Sequence, residues 1–293
     1  MIISYINRDS IIKLLVWFHI LIIDSNIKLI KGDCLEKMDE LIEQEVQIDL
    51  ILTDIPYGTT ACKWDTIIPF DKMWIRLNKL IKDNGAILLF GSEPFSSNLR
   101  MSNIKNYKYD WYWDKENSGG FATAKYKPLS VIEQILVFSK NNNKINYYPI
   151  MEDAEEKNKR PRNKIYKRKE DNSQGMASGE FKASSKHDEN KRYPKNILKY
   201  NNRVGELNAL NRLHPTQKPS DMLAYLINTY TKENETILDF TMGSASTGVA
   251  CLKSNRDFIG IEKDDKYFDI SCDRINTYIK DNNLENINVE IIK

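Results

Sequence analysis

The sequence has few of the residues that build metal centres and disulfide frameworks. Its 293 residues include only four cysteines and three histidines. Cys34, Cys62, Cys251 and Cys272 lie far apart without a CxxC pair, and the histidines add no metal-ligand spacing. We therefore predict neither a metal site nor a disulfide framework, and we expect a reduced, cytoplasmic protein.

A long hydrophobic run is also missing. The most apolar stretch, Ile11–Ile23, has about 13 residues, against the roughly 20 that a membrane-spanning helix needs. Lys13 and His19 interrupt it, and no small-residue cleavage site follows. We predict no membrane partner and treat residues 1–25 as an N-terminal extension of unknown role. A buried or peripheral helix and a non-native upstream extension of the reading frame are both favoured over a membrane anchor.

Charge of either sign is not in excess, because the formal net charge is only +2. Hydrophobic residues make up 41% and charged residues 29%, which describes an ordinary soluble globular chain. Between residues 141 and 205, however, apolar periodicity fades. This segment contains a basic run without an intervening acidic residue, formed by Lys157, Lys159, Arg160, Arg162, Lys164, Lys167, Arg168 and Lys169. The basic run is either a solvated loop or a segment that lies against phosphates.

Elsewhere, short apolar runs alternate with segments of helical periodicity. Such alternation predicts an α/β fold with a doubly wound, mostly parallel sheet. The predicted helices are Leu35–Glu45, Pro69–Lys82, Phe95–Met101, Ser220–Tyr230, one that ends near Lys253, and Lys266–Lys280. The predicted strands are Asn26–Lys31, Ile48–Thr53, Ala86–Phe90, Tyr109–Trp113, Ile132–Phe138, Thr236–Phe240 and Phe258–Ile261.

A glycine-bearing loop, Asp239–Gly248 (DFTMGSASTG), lies between a predicted strand and a predicted helix. Gly243 permits a tight turn, and Glu262 at the end of the next strand suits a ribose diol. A nicotinamide nucleotide would need a glycine where Ala245 stands, whereas S-adenosylmethionine needs a turn and a nearby carboxylate, which Asp239 could supply. The loop favours S-adenosylmethionine and leaves a nicotinamide dehydrogenase as the alternative.

A second motif follows the strand Ile48–Thr53. Asp54, Pro56 and Tyr57 place a carboxylate, a rigid turn and an aromatic ring at the exit of a buried strand. Ligands bind at the carboxyl ends of strands in open α/β sheets. We predict that a nucleic-acid base is held there for chemistry.

Together these motifs resemble the DNA methyltransferases that modify N6 of adenine or N4 of cytosine. Asp54-Ile-Pro-Tyr57 is similar to the family's (D/N/S)PP(Y/F/W) catalytic motif, Asp239–Gly248 to its FxGxG cofactor motif, and His214–Pro219 (HPTQKP) to the segment before it. The order of the motifs resembles the circularly permuted β group, and the residues GTTACKWD and HPTQKP resemble phage-type adenine-specific members. The resemblance covers about Ile27 to Ile279 and implies a seven-stranded Rossmann-like sheet.

The resemblance also implies roles for single residues. The Asp54 side chain and the Ile55 carbonyl would accept the two hydrogens of the target amine, Pro56 would hold the turn, and Tyr57 would stack on the flipped base. Asp33 would bond the adenine of S-adenosylmethionine, and Thr216 and Lys218 would lie near its methionine end. The full set of expected cofactor-binding residues is Asp33, Thr216, Lys218, Asp239, Phe240, Gly243, Ser244, Ser246, Thr247 and Glu262.

The implied reaction is methyl transfer to N6 of adenine in double-stranded DNA, with N4 of cytosine as the alternative. Two departures from the motifs, Ile55 for proline and Ala245 for glycine, leave a catalytically degenerate DNA-binding copy as a further alternative, since the Ala245 methyl is expected close to the cofactor. The implied organisation is a catalytic half at 26–140, a target-recognition insert at 141–205 and a cofactor-binding half at 206–293. A homodimer and a restriction endonuclease partner are left open.

Overall fold

A computed structural model describes residues 25–58, 65–153, 190–208, 212–214 and 216–293. The apolar stretch Ile11–Ile23, the basic run and Cys62 lie outside the described residues. Within the described part of the chain, no helix is long and apolar enough to cross a membrane.

A nine-stranded sheet runs through the centre of the molecule. Its strands are β1 Ser25–Lys31, β2 Ile48–Thr53, β3 Ile81–Gly91, β4 Tyr107–Gly119, β5 Ser130–Ser139, β8 Ile197–Lys199, β9 Thr236–Asp239, β10 Asp257–Glu262 and β11 Ile287–Ile292; β6 Glu152–Asp153 and β7 Lys191–Arg192 form a separate pair. The order in the sheet is β11-β1-β10-β9-β2-β3-β5-β4-β8. All neighbouring pairs are parallel except those that involve β5, which is antiparallel to β3 and β4.

Helices cover both faces of this sheet, so the core has two apolar layers. One layer contains Met73 and Leu77 and the other contains Leu223 and Val249. All six residues of β2 are buried, as expected for a strand that is covered on both faces. The helices are α1 Cys34–Glu43, α2 Phe70–Leu80, α3 Phe95–Ser102, α4 Ser220–Tyr230, α5 Ser246–Ser254 and α6 Asp265–Asp281.

The predicted doubly wound, mostly parallel sheet is confirmed, but it has nine strands rather than seven. The two additional strands, β8 and β11, lie at the two edges. β8 has only three residues, which is too short for a periodic signal. β11 carries a weak alternation of partly buried and exposed residues, which marks an edge strand.

One predicted helix end is wrong. The periodicity predicts a helix over Pro69–Lys82, but α2 ends at Leu80 and β3 begins at Ile81. Ile81 is fully buried and pairs with Ile48 of β2. Its burial in the sheet therefore overrides the helical periodicity, which would have continued to Ile81.

The expected insert, residues 141–205, is joined to the sheet where it is described. Tyr148 N–H donates to the Thr229 carbonyl of α4 (2.7 Å), and β8 pairs with β4. The pairing of β6 with β7 also brings the chain at Asp153 next to the chain at Lys191. The insert therefore begins and ends on the main fold.

Candidate active site

The sheet reverses its strand order between β9 and β2, which are central neighbours. A crevice opens at the carboxyl ends of strands at such a switch point. The protein has a cavity of 620 Å³ there, within the range of small-molecule sites. Every site residue predicted from the sequence lines this cavity: Asp33, Asp54, Ile55, Pro56, Tyr57, Thr216, Lys218, Asp239, Phe240, Gly243, Ser244, Ser246, Thr247 and Glu262.

Asp54 follows the last residue of β2, and the neighbouring strand end holds its backbone. The Thr241 hydroxyl donates to the Asp54 carbonyl (3.1 Å) and lies 2.7 Å from the Thr53 hydroxyl. Residues 53–54 and 241 are thereby linked across the switch point. This link fixes where the Asp54 carboxylate enters the cavity.

Ile55, which replaces the first proline of the motif, is 2% exposed. It belongs to the same apolar cluster as Phe95 and Leu99. Packing of its side chain against the core therefore holds Ile55 in position without the ring that a proline would have here. The role of its carbonyl remains a prediction.

Tyr57 is held at both its ring and its hydroxyl. Its ring stacks on Phe95 with centroids 4.9 Å apart, and its hydroxyl lies 2.8 Å from Asp54 Oδ1 and 3.1 Å from Glu133 Oε1. Burial, reinforced by the two carboxylates, raises the pKa of Tyr57 well above its usual value. The hydroxyl therefore stays protonated and serves as a donor.

Lys218 joins Asp54 to a second carboxylate. Its ammonium group donates to Asp54 Oδ2, lies 3.2 Å from Glu133 Oε1 and donates to the Thr216 carbonyl (3.3 Å). An ammonium group has three donors, so these three acceptors satisfy it. Lys218 thus lies against the Asp54 motif, while its expected contact with the methionine end of the cofactor remains a prediction.

Glu133 of β5 completes this buried cluster, together with Lys115 of β4, whose Nζ lies 3.6 Å from Glu133 Oε2. The cluster is nearly closed to solvent, since the Lys218 and Glu133 side chains are 9% and 11% exposed. Sequence reasoning missed both Glu133 and Lys115, because each stands alone in a strand without a motif around it.

The two carboxyl groups of the cluster have opposite pKa shifts. Burial raises the pKa of Asp54 above its usual value, although the Lys218 charge opposes this change. Burial also acts on Glu133, but its two lysine neighbours outweigh it and lower the pKa. The two lysine charges therefore favour the anionic form of Glu133.

The glycine-bearing loop is tied to the strand end that follows it. Gly243 has a φ of +52°, a left-handed conformation that suits glycine, and its N–H donates to Glu262 Oε2 (2.9 Å). The other oxygen of Glu262 accepts from the Asp264 N–H (2.8 Å). Burial raises the pKa of Glu262. Glu262 therefore positions the loop and the start of α6 while its carboxylate lines the cavity.

Asp239 is also held by the protein from several sides. Its Oδ1 accepts from the Thr53 hydroxyl (2.6 Å) and from the Thr241 N–H (3.2 Å), and its Oδ2 accepts from the Thr247 hydroxyl (2.6 Å). Burial raises the pKa of Asp239 to about 6, although these hydrogen bonds oppose the shift. Asp239 therefore organises the switch point in addition to facing the cavity.

Asp33 at the end of β1 caps α1. Its side chain accepts from the Leu35 N–H (3.0 Å) and pairs with Lys263 Nζ at 3.0 Å. Burial acts to raise the pKa of Asp33, but these two donors lower it overall. Asp33 is therefore held as a carboxylate, the form expected at the position where the resemblance implies the adenine of S-adenosylmethionine.

His214 and Tyr267 line the cavity but were not among the predicted site residues. Their rings lie edge to face with centroids 4.1 Å apart, and His214 Nδ1 lies 3.0 Å from the Thr216 hydroxyl. Burial and the nearby Lys218 charge lower the pKa of His214 to about 4, so the ring is neutral at neutral pH. The HPTQKP motif begins at His214 and is the sequence signal from which this residue could have been predicted.

The Ala245 methyl group, expected close to the cofactor, does not face the cavity. Ala245 is fully buried and belongs to an apolar cluster with Val249 and Phe258, and it is not among the residues that line the cavity. The methyl group therefore packs into the core instead of facing the cavity.

This site can be compared with known proteins. The DNA methylase family model for N6 and N4 enzymes matches residues 48–273. The type II methyltransferase M1.MboII of Moraxella bovis is 28% identical over 82% of this chain and 93% of its own length. M.HinfI of Haemophilus influenzae is 25% identical over 90% of this chain and 72% of its own length.

Solved structures share the fold. The M1.HpyAVI–SAM complex has a TM-score of 0.58 at 23% identity and covers 85% of this chain and 99% of its own. The cytosine-N4-specific PvuII DNA methyltransferase has a TM-score of 0.56 at 17% identity and covers 90% of this chain and 95% of its own. Since the family model alone spans well over half of the sequence, and with it both the Asp54 motif and the glycine-bearing loop, the chain belongs to the N6/N4 DNA methyltransferase family.

Proposed function

We propose that the protein transfers a methyl group from S-adenosylmethionine to N6 of an adenine in double-stranded DNA. The observation that carries this proposal is the single cavity that the Asp54 motif shares with the glycine-bearing loop, Glu262 and Asp33. Membership of the family supports the methyltransferase over the nicotinamide dehydrogenase that the loop alone left open.

The residues of the cavity fit S-adenosylmethionine. This molecule carries a positive sulfonium and an ammonium group, and the lining includes seven carboxyl side chains: Asp33, Asp54, Asp65, Asp239, Glu262, Asp264 and Asp265. Glu262 is suited to the ribose diol and Asp33 to the adenine, while the start of α5 offers free N–H groups to the carboxylate. The cofactor-binding role of each residue is part of the proposal.

When bound, S-adenosylmethionine supplies a methyl group on a sulfonium, which departs as a neutral thioether. The amine nitrogen of the base forms the new N–C bond and afterwards loses one proton, which the Asp54 carboxylate accepts and passes to solvent. The Asp54 carboxylate and the Ile55 carbonyl accept the N–H groups and so free the nitrogen lone pair from the ring. Tyr57, fixed from behind by Phe95, stacks on the flipped base, a contact of about 1–3 kcal/mol.

The choice of adenine rests on the resemblance of GTTACKWD and HPTQKP to adenine-specific members. The likeness to the cytosine-N4-specific PvuII enzyme supports N4 of cytosine as the second candidate. PCR-amplified DNA, which carries no modification, is incubated with the protein and S-adenosylmethionine and then digested to nucleosides. We expect N6-methyladenine by mass analysis; N4-methylcytosine identifies the second candidate, and no product in any DNA tested contradicts the proposal.

Asp54→Ala tests the site assignment. The variant lacks the acceptor for the target amine, so we expect methyl transfer to fall by at least about 100-fold while S-adenosylmethionine still binds. Asp281→Ala, an exposed carboxylate at the end of α6, is the matched control and should retain full activity. Full activity of Asp54→Ala would show that the catalytic acceptor lies elsewhere.

A further inference from the structure

Asp54 is already occupied by donors of the protein. Its Oδ2 accepts from the Lys218 ammonium and its Oδ1 accepts from the Tyr57 hydroxyl (2.8 Å). A target amine that bonds to Asp54 must share or replace one of these donors. The donor that leaves needs another acceptor, because an unpaired ammonium or hydroxyl is costly in a buried site.

Glu133 is the acceptor that both donors share. Its Oε1 lies 3.2 Å from Lys218 Nζ and 3.1 Å from the Tyr57 hydroxyl. Its Oε2 lies 3.6 Å from Lys115 Nζ, which balances its charge. The Glu133 side chain is 11% exposed, so solvent screens these electrostatic contacts only weakly.

The charges of the cluster favour the same arrangement. The Lys218 ammonium would be repelled by the sulfonium of a cofactor bound in the cavity, and the amine nitrogen would become more positive as it bonds to the methyl group. Lys218 is therefore better placed on Glu133 and the Thr216 carbonyl during the reaction. Lys218 can move onto Glu133 without forming a new contact, since it already contacts both Asp54 and Glu133.

We propose that Glu133 is a positioning residue for methyl transfer: it holds the Lys218 ammonium so that Asp54 can release this donor and accept the target amine. This inference rests on the proposed role of Asp54. It assigns no contact between Glu133 and the base or the cofactor, because Glu133 is not among the residues that line the cavity.

Glu133→Gln keeps the shape of the side chain and removes its charge. Lys218 then remains on Asp54 and competes with the target amine, so we expect kcat to fall by at least about tenfold, with KM for DNA and Kd for S-adenosylmethionine within about twofold of wild type. Glu133→Asp should recover part of the lost kcat because the charge returns. Glu290→Gln on β11, an exposed glutamate at the far edge of the sheet, is the matched control.

A double variant separates positioning from structural damage. If Glu133 acts through Lys218, then adding Glu133→Gln to Lys218→Met should lower kcat by less than about twofold beyond Lys218→Met alone. Thermal unfolding of each variant identifies any that fails to fold, and Glu133→Asp then carries the test. Three results would overturn the inference. They are wild-type kcat in Glu133→Gln, a loss of S-adenosylmethionine affinity in that variant as large as its loss of kcat, and additive losses of kcat in the double variant. Inactive Asp54→Ala with fully active Glu133→Gln overturns this inference alone. Fully active Asp54→Ala overturns the role of Asp54 on which the inference rests, whereas wild-type protein that yields no methylated nucleoside overturns the proposed function.

Discussion

Ala245 shows how one residue of the glycine-bearing loop departs from the residue type that its backbone favours. Its φ is +54°, the left-handed region in which an L-residue with a side chain is disfavoured by roughly 1–2 kcal/mol. Its methyl group is fully buried in the core. The strained backbone and the buried methyl group therefore have opposite effects on stability.

Ala245→Gly is expected to leave the free energy of unfolding within about 0.5 kcal/mol of wild type. Relief of the backbone strain offsets two costs. These are the lost burial of the methyl group, about 0.8 kcal/mol, and the greater conformational freedom of glycine in the unfolded chain. Ala250→Gly in α5 is the matched control, since that alanine is equally buried but helical, and it should lose about 2 kcal/mol. Denaturant unfolding measures both, and equal losses would show that residue 245 is not strained.

The candidate residues could be predicted where they lie in contiguous motifs. Asp54 and Tyr57 follow one buried strand, Asp239 ends another and Gly243 lies in the loop after it, so the sequence pattern predicts all four at one edge of a sheet. Glu133 could not be found in this way. It is separated from Tyr57 by 76 residues and reaches it only because β5 lies beside β3 in the folded sheet.

At the scale of elements, α6 holds the glycine-bearing loop from behind. Arg274 Nη1 donates to the Ser244 carbonyl (2.9 Å) and to the Ser246 hydroxyl (3.0 Å), and its Nη2 donates to Glu206 (2.8 Å). The planar guanidinium spans these groups in a way that an ammonium group cannot. Two loop serines that line the cavity are thus fixed by one side chain of the helix.

Arg274→Lys keeps the charge but loses the fork, so the loop is less ordered before the cofactor binds. We expect Kd for S-adenosylmethionine to rise about tenfold, equivalent to about 1.4 kcal/mol, with kcat at saturating cofactor nearly unchanged. Arg100→Lys in α3, whose guanidinium pairs with Asp110 away from the cavity, is the matched control. Calorimetric titration measures Kd, and a large fall in kcat would instead give Arg274 a role in the reaction itself.

Most elements followed from periodicity because their buried faces are regular. Failures occurred where tertiary pairing decided the outcome. Ile81 continues the helical pattern of α2 but is taken into β3, and β8 exists only because β4 offers it a partner. Neither pairing can be read from a local pattern, since the strands involved are far apart in the sequence.

At the scale of the whole molecule, the distribution of charge suits a polyanionic substrate with a cationic cofactor. The charged side chains that line the cavity are mostly carboxylates, whereas the sequence concentrates positive charge in the basic run, within the expected recognition insert. The described ends of that insert are attached to β4 and α4 of the main fold. We propose that this insert supplies contacts to the DNA backbone.

Replacing Lys157 and Lys159 of the basic run with serine should weaken DNA binding without changing the affinity for S-adenosylmethionine. Each phosphate contact contributes about −0.9 to the slope of log K against log salt, so the slope should become shallower by up to about 1.8 if both lysines contact phosphates. Lys72→Ser with Lys79→Ser, two exposed lysines of α2, is the matched control with the same change in charge. Fluorescence anisotropy with labelled duplex DNA at several salt concentrations measures both pairs of variants. Equal slopes for the two would show that net charge alone is responsible and that the insert makes no specific backbone contacts through these lysines.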